Sequence, residues 1–125
     1  VVYLSMGFGN PYGEPWGPAD TARAVERLRA LGLRHVALAD TVGTATADTL
    51  EAVLAAIPEP QDLGLHLHAR PDAWRDRLER ALERGLEWFE GALGGQGGCP
   101  FAGDALVGNL PSERLIPWLA ARTGE

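Results

Sequence analysis

A chain of 125 residues with 46% hydrophobic content suits one domain with a modest core and leaves no room for two. Its net charge of −6, carried against 11 arginines and no lysine, gives no basic patch for nucleic acid or an anionic membrane surface and excludes Schiff-base chemistry through a lysine amine. The single cysteine cannot form an internal disulfide, no apolar run approaches the roughly 18 residues of a membrane span, and the N-terminus lacks a basic-then-apolar leader, so a cytoplasmic protein is expected.

Strand-like and helix-like patterns alternate along the chain. VVYLSMGF (1–8) is a β-rich apolar run ended by the turn-forming GNPYGEPWGP. Pro18, behind Gly17, opens a helix on which Ala22, Val25, Leu28 and Leu31 recur at helical spacing until Gly32. HVALAD (35–40) reads as a second, buried strand. Thr46 can then cap a helix that presents Leu50, Val53, Leu54 and Ile57 on one face before Pro58. LGLHLH (63–68) alternates strictly and reads as a third strand. Pro71 is expected to open the third helix, with Trp74, Leu78, Ala81 and Leu82 as its apolar stripe and an otherwise solvated Arg/Glu-rich face over 75–87. LEWFEGAL (86–93) reads as a fourth strand. A glycine-rich loop follows, then a last helix from about Ser112 to Ala121, which Pro117 would kink or begin. The four tryptophans read as core or helix–sheet packing.

Four consecutive βα units predict an α/β fold with a parallel sheet and helices packed outside it, either a small doubly wound sheet or part of a (β/α)8 barrel. A complete barrel takes about 250 residues, so the length allows half of one. The abrupt start inside the first strand, without an initiator Met, is that of a fragment or a truncated chain. In either fold function sits at the C-terminal ends of the strands.

Polar residues collect at those ends. His66 and His68, two apart on a strand, project from the same face and can take adjacent positions on one divalent ion, although an arbitrary H-x-H is often chance. Asp40 ends the second strand in ADTVG, placed either for a site or to cap the next turn. Asn109 in GNL is a ligand candidate or a helix cap, and Asn10 a substrate contact or the turn before Pro11. Cys99 lies in GGQGGCPFAG (94–103), with glycines at 91, 94, 95, 97 and 98. Gly94, Gly95, Gly97 and Gly98 read as a flexible loop able to carry a thiol over a substrate and withdraw it. The alternative for Cys99 is plain packing.

Together, HLH, then GGQGGCPFAG, then GN, preceded by FGNPYGEPW and LADTVG in matching order, resemble 3-hydroxy-3-methylglutaryl-CoA lyase, a metal-dependent barrel lyase related to isopropylmalate and citramalate synthases. The resemblance covers essentially all of 1–125, as one half-barrel domain corresponding to the second half of the (β/α)8 barrel. It implies His66, His68 and Asn109 as ligands of a divalent metal ion (Mg, Mn or Zn), Cys99 as a catalytic thiol, Asp40 as a carboxylate assisting proton transfer, and Asn10 and Thr41 as substrate contacts. The implied reaction is retro-aldol (Claisen-type) cleavage of a 3-hydroxy-3-methyl acyl-CoA to acetyl-CoA and acetoacetate. The chain departs from the pattern at Ala69, where many members carry Asp directly after H-x-H. The family's further metal-binding Asp, catalytic Arg and catalytic Glu belong to the first half of the barrel. A half-barrel would therefore be a homo-oligomer or associate with a complementary segment. The alternatives are a metal- or acyl-CoA-binding scaffold that does not catalyse alone, and a related aldolase or acyl-transfer synthase, against which the cysteine loop argues.

Overall fold

In the computed structural model, which describes residues 1–97 and 108–124, four parallel strands form one sheet in the order β1-β2-β3-β4. The strands are β1 (Val2–Leu4), β2 (Val36–Asp40), β3 (Gly64–Leu67) and β4 (Trp88–Phe89). Helices α1 (Pro18–Ala30), α2 (Ala47–Ala56) and α3 (Arg75–Glu83) connect them, and α4 (Ser112–Thr123) follows the last. None of the described helices is long and apolar enough to cross a membrane.

Local chemistry sets the helix starts. At α1 the Gly17 amide donates to Asp20 Oδ2 at 2.8 Å and Pro18 occupies the first helical position, where its missing N–H costs nothing. At α2 the Thr46 hydroxyl accepts the Thr49 amide at 3.1 Å, the cap expected of it. Pro71 does not open α3. Residues 71–74 form a turn in which the Ala73 amide reaches Arg70 O and the Trp74 indole donates to Pro71 O, so the helix begins only at Arg75. Nor is its polar face wholly solvated: Arg77 turns inward, donating to the carbonyls of Ala45 and Ala73 and lying 3.9 Å from Asp40. β4 is also shorter than its apolar run suggests. After Phe89 the chain bends at Gly91, where an added Cβ would stand 2.9 Å from Leu110 O, and the Ala92 amide bonds that same carbonyl. Pairing with residues 108–111 thus ends the strand. α4 starts at Ser112 and runs through Pro117.

The two faces of the sheet differ. Val36, Leu38, Leu65 and Leu67 are buried against Leu50, Val53 and Leu54 of α2 and Leu78 and Ala81 of α3. Each of these Val and Leu side chains contributes about 1.5–3 kcal/mol of burial free energy. Trp74 and Trp118 meet edge to face at 5.4 Å within this core, as their sequence reading requires. Trp88 does not join them. Its register partner is Gly64, in a row with Ala37 and Tyr3 on the opposite, inner face, and its indole lies where a Gly64 Cβ would be. The next inner row brings Ala39, His66 and Glu90 side by side, because Ala39 pairs with His66 and the Glu90 amide bonds Leu65 O. Four parallel strands closed on one side by helices, with His66 and Glu90 on the other face, form an open segment of a (β/α)-barrel wall.

Candidate metal centre

β3 presents His66 and, just past its last paired residue, His68 on the inner face at the C-terminal end of the sheet. Their rings stand 4.9 Å apart at 89°. Asn109 arrives from the other direction. It forms an isolated antiparallel bridge with His68, reinforced by the Ala69 amide donating to Gly108 O at 3.0 Å. The Asn109 side-chain amide donates to Gln96 O at 2.7 Å, so its carbonyl oxygen is the side-chain atom that could accept or ligate. The structure therefore brings together the three residues expected as ligands.

The donor set fits a divalent cation. The Nδ1 of His68 is buried with no hydrogen-bond partner among the described residues, an arrangement that a bound cation or a further partner would satisfy. Burial, and after it the charge of His66, push the His68 imidazole below its ordinary pKa, against a smaller opposing effect of the Gly108 carbonyl. A neutral imidazole is the form that ligates. Among the described residues no three His, Cys, Asp or Glu side chains gather as a metal group, so the set rests on two imidazoles and an amide oxygen.

Three of the glycines expected in the loop, Gly94, Gly95 and Gly97, lie next to the site. Gly94, Gly95 and Gly97 have φ of 63°, 66° and 93°, conformations that side chains resist. The Gly94 amide donates to both carboxylate oxygens of Glu113, the Gly95 amide to Ala92 O, and the Asn109 amide to Gly95 O. An added Cβ on Gly97 would stand 2.8 Å from Asn109 Nδ2, and one on Gly108 2.5 Å from Gly95 O. Their small size is what lets two backbones seat Asn109. Gly98 and Cys99 lie outside the described residues.

Three expected site residues are not brought to this cluster. Asp40 shares strand parity with Val36 and Leu38 and pairs in register with Leu67, so its carboxylate faces the helix layer. There it accepts the amides of Thr44 and Ala45, each at 3.1 Å, beside Arg77. That is the capping role open to it in the sequence. Thr41 is buried and accepts the Met6 amide at 2.8 Å, holding the turn after β1 where Met6 has φ 56°. Asn10 spends its side chain on its own loop, accepting from Tyr12 and Glu14 and donating to Glu14 O.

Sequence reasoning missed Glu90 and Tyr3. Glu90 Oε2 lies 2.8 Å from His66 Nδ1 while Oε1 accepts the Tyr3 hydroxyl at 2.6 Å. The carboxylate raises the Tyr3 pKa above its ordinary value, chiefly through that hydrogen bond. Alternation carried one residue past β4 puts Glu90 on the same face as Trp88, a signal readable only once β4 is aligned with β3.

A parallel barrel-wall segment with polar side chains gathered at its strand ends has the architecture of (β/α)-barrel proteins. The comparisons narrow the class. No family model matches the chain. It is 35% identical over 119 residues to the hydroxymethylglutaryl-CoA lyase YngG of Bacillus subtilis, covering 92% of this chain and 39% of that protein. It is 34% identical over 125 residues to the mitochondrial hydroxymethylglutaryl-CoA lyase of Bos taurus, covering 94% and 37%. Among solved structures, the HMG-CoA lyase of Brucella melitensis superposes with a TM-score of 0.84 at 35% identity over 98% of this chain and 44% of that one. An HMG-CoA lyase of Acinetobacter baumannii in complex with coenzyme A and 3-methylmalate gives 0.80 at 31% over 98% and 40%. The chain is thus a homologue of hydroxymethylglutaryl-CoA lyases over nearly its whole length, and it spans about two fifths of theirs.

Proposed function

We propose that the chain carries the metal-binding part of a carbon–carbon lyase that cleaves a 3-hydroxy-3-methylglutaryl-CoA-like thioester to acetyl-CoA and acetoacetate. The observation that supports this most is the convergence of His66, His68 and Asn109 at the strand ends of a chain homologous to such lyases. These three side chains would hold a divalent ion: Mg, Mn or Zn. Bound there, the ion would supply Lewis-acid polarisation of the substrate's tertiary hydroxyl. His68 contributes a nitrogen whose protonation burial disfavours, and the Gln96 carbonyl orients the Asn109 amide. Cleavage requires a proton to leave that hydroxyl, the carbon–carbon bond to break, and a proton to reach the departing acetyl carbon. The resemblance assigns one of these transfers to the Cys99 thiol. Asp40, turned to the helix layer, takes structural duty instead.

Catalysis on this reading is shared with the rest of a barrel, contributed by another segment or a second copy, because β1 pairs only with β2 among the described strands. The test is Mn titration of the full chain together with acetyl-CoA release from the thioester, in the parent, His66→Ala and Cys99→Ala. We expect His66→Ala to weaken Mn binding by at least about tenfold, with Cys99→Ala leaving it unchanged and abolishing any release. Equal Mn affinity in the parent and His66→Ala overturns the assignment.

A further inference from the structure

Glu90 stands outside every motif the sequence marks, yet its carboxylate joins three strands of the inner face. Its own amide is fixed to Leu65 O on β3 at 3.0 Å, Oε1 takes the Tyr3 hydroxyl from β1, and Oε2 meets His66 Nδ1. An ionised carboxylate only accepts hydrogen bonds, so the proton shared with His66 belongs to Nδ1. Tyr3 cannot compete for that oxygen, since it donates to the other one. Among the described residues the rings packed near His66 are those of Tyr3 and His68, and the Glu90 bond is the one hydrogen bond on the His66 ring.

We propose that Glu90 is a positioning residue that holds His66 as the Nδ1–H tautomer and thereby leaves Nε2 bare to take a divalent cation. The inference rests on reading His66 as a metal ligand. A free neutral imidazole chooses between two tautomers and rotates about its side-chain bonds. A carboxylate on one nitrogen removes both freedoms, so the lone pair on the other is aimed before the cation arrives. Among the described residues His68 Nδ1 has no hydrogen-bond partner, so of the two rings it is His66 that a carboxylate orients.

The test separates the tautomer from the metal. Long-range proton–nitrogen correlation spectra of the metal-free full chain, at slightly alkaline pH, should show His66 protonated on Nδ1. Glu90→Ala should lose that preference, and Glu90→Asp should keep part of it. Mn affinity should fall about 10–100-fold in Glu90→Ala and by less in Glu90→Asp. An Nε2-protonated His66 in the parent, a tautomer unchanged in Glu90→Ala, or an unchanged Mn affinity in that variant overturns the proposal. His66→Ala distinguishes the two readings. If it leaves Mn affinity intact, the metal site itself fails; if it abolishes binding while Glu90→Ala does not weaken it, only the positioning role fails.

Discussion

Asp40 shows at the residue scale how strand parity directs a carboxylate toward the turn that follows its strand. Its oxygens close the turn into α2 through the Thr44 and Ala45 amides, with Arg77 as a nearby counter-charge. Burial outweighs these partners, so the Asp40 pKa lies above its ordinary value. The native state therefore holds this proton more tightly than the unfolded chain does. Stability from that proton is complete below the ordinary carboxylate range and is lost as pH rises through the raised native value. Asp40→Asn removes the titration. The parent-minus-variant difference in unfolding free energy, from urea melts across pH, should fall over that window and then level off; a difference that rises there contradicts the raised pKa. Asp40→Ala, which leaves the buried Ala45 amide without its acceptor and returns the part-buried Thr44 amide to water, should cost about 1–3 kcal/mol at neutral pH.

At the scale of elements, the inner face works by contrast of size. Gly64 lies under the Trp88 indole, where an added Cβ would come within 2.3 Å of ring atoms. Gly64→Ala should destabilise by about 1–3 kcal/mol, an overpacking cost that Trp88→Ala in the same chain should largely remove. Thermal melts of the two single variants and the double variant measure the coupling; additive losses would mean that the indole does not rest on Gly64. The sequence revealed some of this arrangement and hid the rest for identifiable reasons. Pro18 and Thr46 marked helix starts because their effects are local. Pro71 misled because its carbonyl serves the Trp74 indole and Arg114 in a turn, partners distant or invisible in a one-dimensional pattern. β2 reads as VALAD, apolar on both faces up to its last residue, so nothing in it told which way Asp40 points. LHLH alternates, and the His pair was accordingly legible. Glu90 was not, since its meaning comes from the register of β4 against β3.

For the whole molecule, the β1 edge determines how the segment meets its surroundings. The Val2 amide bonds His35 O, toward β2, so alternation turns the Tyr3 amide to the outer edge. Beside that edge runs a groove of about 870 Å³ lined in part by Leu4, Arg23, Ala24, Arg27 and Leu28. An edge unpaired among the described residues, next to an apolar-floored groove, is suited to receive a strand and the helix that follows it. In hydrogen exchange on the full chain at low concentration, the Tyr3 amide should exchange almost unprotected while those of Leu38 and Ala39, inside the sheet, exchange slowly. Raising the concentration, or supplying the remaining barrel strands on a second polypeptide, should protect Tyr3 only if this edge is where they add. The sedimenting mass distinguishes a second copy from a complementary segment. Protection of Tyr3 in a chain that sediments as a monomer would mean that the edge is already covered, and the partner would have to add at β4 instead.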